Sequence, residues 1–154
     1  MAAVVITHIF VSGGHNFFGH HGRAPGRHAA CAVERVSCHA GRGLAGDRFF
    51  DYRPDYSGQV TFFDWSVLLA ARQELGVPEL AADALRRNVM VSGLDLSALV
   101  GRGFRLQGVL FEGVSEAKPC YWMNDAVAPG AEQWLRGRGG LRARIRSERS
   151  GIPG

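Results

Sequence analysis

The sequence predicts a mixed α+β, β-rich fold: a strongly twisted or barrel-like, mainly antiparallel sheet with a few flanking helices. The candidate strands occur in groups, and the candidate helices lie between the groups instead of alternating with single strands. No G-x-G-x-x-G motif joins a strand to a helix, which argues against a dinucleotide-binding α/β fold. Hydrophobic residues make up 46% and charged residues 21%, as in an ordinary globular protein.

The whole chain, residues 1–154, is expected to form one domain. Its 154 residues contain no internal repeat and no low-complexity linker. No apolar run approaches the roughly 18 residues that a membrane-spanning helix needs. The apolar N-terminus lacks a basic segment and is soon interrupted by Gly13 and Gly14, so we interpret it as a first strand and not as a signal peptide.

The local patterns predict the elements in order. Residues 3–10 are an apolar, β-branched strand, 12–27 a loop rich in Gly, Pro and His, and 29–37 a second strand followed by a glycine-containing turn. Asp64 is the predicted N-cap of a helix through Gly76, and a second helix is predicted over 78–86. Further strands are predicted at 59–63, 89–91, 104–106, 109–114 and 141–145, and a third helix at 131–136.

The charge of the chain is modestly basic, +4 from 18 basic and 14 acidic residues, and Lys118 is the single lysine. A bias toward arginine can reflect genome composition, or it can mark phosphate recognition, because the guanidinium fork matches phosphate oxygens. Nucleic-acid binding is not expected, since no basic helix, zinc-finger spacing or aromatic RNA-binding run accompanies the charge.

Three cysteines are too few, and odd in number, for a secreted disulfide framework, so a cytoplasmic location is expected. Cys31 lies among small apolar residues and is interpreted as a buried structural cysteine. Cys38 and the adjacent His39 lack the ligand spacing of a zinc site. Cys120 differs, because it follows a proline and Lys118, whose ammonium group would favour a reactive, metal-binding thiolate. A buried cysteine at a strand end is the alternative.

Two further groups of polar residues are candidates for a site. His15, His20 and His21 lie in one glycine-rich loop, with His28 beyond it; lining a pocket or stabilising the loop is favoured over binding a metal. The segments Gly46–Arg48 and Leu85–Asn88 lie at junctions where side chains and backbone N–H groups can converge on an anion. Salt bridges and helix capping are the alternative for these segments.

Five motifs taken together resemble the MOSC domain, a family named after the C-terminal domain of molybdenum cofactor sulfurase. They are G-L-A-G-D-R-F (43–49), Q-V-T-F-F-D (59–64), L-R-R-N-V-M-V-S-G-L-D-L (85–96), G-x-x-F-R-L (101–106) and K-P-C (118–120). The resemblance runs from about residue 4 to residue 146. It implies a β-rich, twisted or barrel-like fold, and a role for one cysteine, matched here by Cys120, in sulfur or molybdenum-cofactor chemistry.

The resemblance also implies a site. Cys120 would ligate molybdenum, Arg48 would contact the phosphate or pterin of the cofactor, and Arg87, Asn88 and Lys118 are further candidates for that pocket. Some relatives reduce N-hydroxylated small molecules with this cofactor. The chain contains no iron–sulfur cysteines, so such a reductase would need separate electron-donor proteins.

Two other functions stay open for the same residues. Cys120 could carry a persulfide or hand on the cofactor, or the domain could bind an anionic ligand without catalysis. Pyridoxal phosphate is not expected as a ligand. The loop GHNFFGHHG belongs to a smaller subset of MOSC-like sequences, and we expect it, with Tyr121 and Trp122, to line the pocket.

Overall fold

The computed structural model describes residues 4–14, 24, 26 and 28–153, and for residues 150–153 it describes the backbone alone. These residues form β1 (Val5–Val11), β2 (Cys31–Ala32), β3 (Arg35–His39), β4 (Gly43–Leu44), β5 (Val60–Asp64), β6 (Val89–Ser92), β7 (Gly103–Leu106), β8 (Val109–Glu116), β9 (Leu141–Ile145) and β10 (Arg149–Pro153). The helices are α1 (Trp65–Glu74), α2 (Met123–Ala126) and α3 (Ala131–Trp134), with a 3-10 helix at Leu96–Leu99.

The strands form one large mixed sheet and one small sheet. The large sheet has the order β2-β1-β6-β5-β9-β8-β7, and the small sheet has the order β10-β3-β4. Every strand pair is antiparallel except β5 and β6, which α1 and the segment after it connect. The prediction of a β-rich, mainly antiparallel fold is confirmed, but the described strands of the large sheet form an open sheet and not a closed barrel.

Alternating side chains of the large sheet build two cores on its two faces. Phe62 belongs to one core and Phe63 to the other, because successive residues of a strand point to opposite faces. The first, which we call the small-sheet core, includes Cys38 and Leu44 of the small sheet. The second, the helix-side core, includes Leu68 of α1 and residues of α2 and α3. The small sheet and the helices therefore cover opposite faces of the large sheet.

Helix α1 begins where the sequence predicts. The carboxylate of Asp64 accepts hydrogen bonds from the backbone N–H of Ser66 at 2.8 Å and from its hydroxyl at 2.7 Å, so it caps the first turn. Leu68 and Ala71 are buried against the sheet. Gly76 has a φ of +67°, the left-handed conformation that ends many helices.

The predicted helix over 78–86 is wrong. That segment forms a series of turns, with backbone hydrogen bonds from Leu80 to Val77, from Ala84 to Ala81 and from Arg86 to Asp83. The carbonyl of Leu80 accepts two hydrogen bonds from the Arg72 side chain, at 3.0 and 2.8 Å, and so is engaged outside any helix. Arg86 has a φ of +57°, which a right-handed helix excludes.

The predicted single strand over 29–37 is also wrong, because it divides into β2 and β3. β2 pairs with β1 in the large sheet, whereas β3 pairs with β4 and β10 in the small sheet. The chain changes sheets at Val33 and Glu34, within an apolar run that gives no local signal of a break. Within the described residues, no helix combines the length and apolar character needed to cross a bilayer.

The β7–β8 turn has a stability consequence that can be measured. Gln107 and Gly108 have φ values of +51° and +78°, so both central residues of the tight turn between these strands are left-handed. Asparagine tolerates this conformation better than glutamine does, so Gln107→Asn is expected to raise the free energy of unfolding by roughly 0.5 kcal/mol. Urea denaturation measures this change. Gly108→Ala should lower the same quantity, and a loss of stability in Gln107→Asn would contradict the turn assignment.

Candidate functional site

Cys120 lies at the end of a short connection that follows β8, and we call residues 117–120 the thiol loop. The side chain is half-buried and packs against the helix-side core. Its backbone carbonyl accepts a hydrogen bond from Met123 at 3.0 Å, in the turn that leads into α2. The thiol is therefore held between the end of a strand and the start of a helix, with part of its surface open.

The other two cysteines have different environments. Cys38 is completely buried in the small-sheet core, and burial, with a smaller contribution from Glu148, raises its pKa to about 12. Such a thiol stays protonated and inert. Cys31 is exposed on the two-residue strand β2, so its interpretation as a buried structural cysteine is wrong. The short strand at the sheet margin leaves this side chain uncovered.

Arg87 joins three parts of the chain around the thiol loop. Its Nε donates to the carbonyl of Gly139 at 2.9 Å, and its Nη2 donates to the carbonyl of Ala117 at 2.9 Å. Its Nη1 donates to the carbonyl of Leu85 at 3.2 Å. The guanidinium group thus fastens the thiol loop to the turn before β9.

The groups that shift the pKa of Arg87 show which side chains lie near it. Burial lowers its pKa to about 10; Arg48 and Arg142 lower it as well, while Cys120 and Glu116 raise it. Arg87 is therefore still a cation at neutral pH, and its guanidinium lies within electrostatic range of the Cys120 side chain. Two predicted site residues, Cys120 and Arg87, are brought together.

Arg48 extends this positively charged region. Its Nη1 donates to the Oδ1 of Asp47 at 3.0 Å, and its Nη2 donates to the backbone carbonyl of Arg86 at 3.1 Å. The pKa of Arg48 is lowered, first by burial, although Asp47 opposes the shift. Asp47 itself is buried and accepts hydrogen bonds from the backbone N–H groups of Ser12 and Phe49. The carboxylate thus positions Arg48 and the turn that carries it.

Arg86 belongs to the predicted segment Leu85–Asn88 and is a further cation of the site. Its left-handed backbone directs its guanidinium away from that of Arg87, toward Ser12 Oγ and the carbonyls of Gly14 and His28. Burial lowers its pKa first, and Arg48 lowers it further. We call Arg48, Arg86 and Arg87 the arginine cluster. Sequence alone could not reveal the φ of Arg86, which distinguishes the two adjacent arginines.

Asn88 and Lys118 are the two remaining predicted site residues, and neither belongs to the arginine cluster. The Oδ1 of Asn88 accepts from the backbone N–H and the hydroxyl of Thr61, at 3.0 and 3.1 Å, and its Nδ2 donates to the carbonyl of Phe10 at 3.1 Å. Asn88 therefore ties together β1, β5 and β6. Lys118 is exposed and makes no hydrogen bond or ion pair with the described residues. Their roles toward a cofactor remain predictions.

Tyr56 and Arg142 border the arginine cluster, and neither was predicted as a site residue. Arg142 Nη2 donates to the Tyr56 hydroxyl at 2.8 Å, and the Tyr56 ring stacks on Phe49 with ring centroids 5.5 Å apart. Tyr56 also raises the pKa of Arg48. This contact joins residues 86 positions apart in sequence, which local patterns cannot reveal.

The expected pocket wall is only partly within the described residues. Tyr121 is exposed and Trp122 is buried, with ring centroids 4.9 Å apart, directly after Cys120. His15, His20 and His21 lie outside the described residues. Among residues 4–14, 24, 26 and 28–153, no three His, Cys, Asp or Glu side chains form a group able to hold a metal ion. A soft metal at this site would depend on the single thiol of Cys120.

Fold and site together define an open mixed-sheet protein with one half-buried thiol beside clustered arginines. The family model for the MOSC domain matches residues 26–154, and the chain belongs to the MOSC domain family. The family assignment and the predicted fold are thus both confirmed. MOSC domains are associated with proteins of molybdenum-cofactor chemistry.

Similar solved structures agree on the fold. The YuaD protein of Bacillus subtilis has a TM-score of 0.71 and 17% identity, with 99% of this chain and 94% of that chain covered. YiiM of Escherichia coli has a TM-score of 0.67 and 16% identity, covering 96% and 65%. YiiM of Geobacillus stearothermophilus has a TM-score of 0.68 and 15% identity, covering 98% and 71%. The chain thus spans slightly less than two thirds of the Escherichia coli protein. No curated protein sequence matches it.

Asn88 supports a first prediction from the site. Asn88→Ala would leave the Thr61 N–H and the Phe10 carbonyl without their partner, so we expect a loss of about 2–4 kcal/mol in the free energy of unfolding. Chemical denaturation measures it. Lys118→Ala is the control, expected to change the same quantity by less than about 0.5 kcal/mol. Unchanged stability in Asn88→Ala would refute the structural role.

Cys38 supports a second prediction, on pH. Its pKa in the folded protein, about 12, lies above its ordinary value of 9.0, so the buried thiol favours folding below pH 9. That stabilisation is lost as the pH rises from 9 toward 12, by at most about 1.4 kcal/mol per pH unit. Cys38→Ala should therefore lose less stability than the wild type over this range in urea titrations. Cys31→Ala, at the exposed cysteine, should behave as the wild type; equal alkaline slopes in all three proteins would exclude the effect.

Proposed function

We propose that this protein binds the molybdenum cofactor and reduces N-hydroxylated small molecules. The observation that carries the proposal is the half-buried thiol of Cys120 within electrostatic reach of Arg87, which itself belongs to a cluster of three arginines. Membership of the MOSC family supports the connection with this cofactor. A cytoplasmic location, small-molecule substrates and separate electron-donor proteins are part of the proposal.

The donor set fits a cofactor that carries both a soft metal and a phosphate. A thiolate is a suitable ligand for a thiophilic metal, and guanidinium groups suit phosphate oxygens. In the described part of the chain, Asp47 is the one carboxylate that forms a hydrogen bond with the arginine cluster. Arg48 also lowers the pKa values of Arg86 and Arg87. An anion would therefore relieve a surplus of positive charge.

Each residue has a distinct task in this proposal. Cys120 would hold the metal, and Arg87 would keep the thiol loop in place through the Ala117 carbonyl. Arg48, fixed by Asp47, would contact the phosphate, with Arg86 beside it. The cofactor, when bound, supplies the redox chemistry. The protein contributes a ligand, a charged pocket and the orientation of the substrate.

Metal content tests the proposal directly. We would produce the wild type, Cys120→Ser and Cys31→Ser in a host that synthesises the molybdenum cofactor, and measure molybdenum by elemental analysis. We expect molybdenum in the wild type and in Cys31→Ser, and at least about tenfold less in Cys120→Ser. The same wild-type preparation should reduce an N-hydroxylated amidine with a reduced viologen dye as the electron source.

Other results would favour the alternative functions. A wild type without molybdenum but with sulfane sulfur on Cys120 would identify a sulfur carrier and overturn the reductase. A wild type with neither, together with full complementation by Cys120→Ser, would identify a non-catalytic anion-binding domain. Loss of molybdenum from Cys31→Ser as well would point to misfolding, which thermal unfolding of each variant detects.

A further inference from the structure

The Arg142 side chain lies on the same face of the large sheet as Cys120. Arg142 is in register with Ser115 of β8, the strand that leads into the thiol loop. Its neighbours Leu141 and Ala143 are buried in the small-sheet core. Because side chains alternate along a strand, Arg142 points to the opposite face, where Cys120 packs against the helix-side core.

Arg142 holds Tyr56 in one orientation. Its Nη2 donates to the phenolic oxygen at 2.8 Å, and its guanidinium lies 5.4 Å from the centroid of the same ring. Gly58 makes room for the pair, since a Cβ there would lie 3.0 Å from both Arg142 and Tyr56. Phe49 stacks on the Tyr56 ring. The hydroxyl position is therefore fixed by three neighbours.

The Tyr56 hydroxyl retains a hydrogen that it can donate. Arg142 supplies a hydrogen bond to the oxygen, and no acceptor for the phenolic hydrogen lies among the described residues. Tyr56 raises the pKa of Arg48, so the phenol lies within electrostatic range of the arginine cluster. Arg142 in turn interacts with Arg87, the neighbour of Cys120.

We propose that Tyr56 is the proton donor in the reduction, aimed by Arg142 at the space beside the arginine cluster. This inference rests on the proposed function. Reduction of R–NH–OH breaks the N–O bond and consumes two electrons and two protons, giving R–NH2 and water. The electrons come from a separate electron-donor protein. Tyr56 protonates the departing oxygen, water supplies the proton on nitrogen, and solvent returns the proton to Tyr56.

The remaining described groups of the site are less suited to this task. The N–H groups of the arginines already donate to carbonyl and carboxylate oxygens, so these side chains hold the site together. Both carboxylate oxygens of Asp47 already accept hydrogen bonds, from Ser12, Arg48 and Phe49, so this side chain positions the turn that carries Arg48. Glu116 accepts a hydrogen bond from the Gly139 N–H, and Cys120 has its own role as a ligand. Tyr56 is the group with an oriented and available O–H.

The test compares Tyr56→Phe with the wild type, both loaded with cofactor. The variant keeps the aromatic ring and removes only the hydroxyl, so we expect kcat for an N-hydroxylated amidine to fall about 100-fold. KM should change less than about twofold, and the molybdenum content and the thermal unfolding temperature should stay as in the wild type. Tyr52→Phe is the matched control, because it removes the hydroxyl of the adjacent aromatic residue, and its kcat should be unchanged.

Arg142→Leu is the second variant, in case Tyr56→Phe does not fold. It removes the hydrogen bond that orients the phenol, and we expect kcat to fall about tenfold with unchanged molybdenum content. An active wild type together with a fully active Tyr56→Phe would overturn the role of Tyr56 and leave the reductase standing. An inactive wild type without molybdenum would overturn both.

Discussion

The candidate site depends on one cation, Arg87, and on the three backbone carbonyls that it binds. These carbonyls belong to the end of the β5–β6 crossover, to the thiol loop and to the turn before β9. These segments are distant in sequence, and this one side chain links all three of them. A neutral replacement would leave buried carbonyls without donors, and such groups are costly to bury.

Gly139 shows how closely these segments approach. A Cβ at this position would collide with the carbonyl oxygen of Ala117, and it would meet Pro119 at 2.9 Å. The backbone N–H of Ala117 also donates to the Gly140 carbonyl at 2.9 Å. The thiol loop is therefore held by direct contact and hydrogen bonding as well as by Arg87, and the backbone around Cys120 has little freedom to move.

The sequence predicted what depends on neighbouring residues, and failed where distant contacts decide. Short apolar runs located β1, β5, β6 and β8, alternating apolar residues located β9, and Asp64 located the start of α1. The false helix over 78–86 had the right composition, but Arg72 and the backbone of Arg86 impose turns. β10 was not predicted, because Arg149–Pro153 has little apolar periodicity and forms a strand through pairing with β3.

The residues of the candidate site divide in the same way, into those that a local motif indicates and those that depend on distant contacts. The motif singled out Cys120, Arg48 and Arg87, because these residue types in that order carry the resemblance to the family. Tyr56 and Arg142 were found only from the fold, since their contact joins a loop to β9. Arg86 lies in the candidate segment 85–88, but its contacts depend on a left-handed backbone. Three consecutive residues at 86–88 illustrate the difference. Arg86 ties Ser12, Gly14 and His28 to the site, Arg87 fixes the thiol loop, and Asn88 joins three strands.

Positive charge without matching carboxylates is the property that these observations share. Burial lowers the pKa of each arginine in the cluster, so the folded protein bears the cost of crowding and desolvating three cations. Such an arrangement is unfavourable for a domain that never meets an anion. A ligand that binds only the folded state stabilises it in proportion to the logarithm of its concentration, and an anion here would also remove the repulsion. Crowded cations beside a half-buried thiol are therefore better explained by ligand binding than by the stability of the fold.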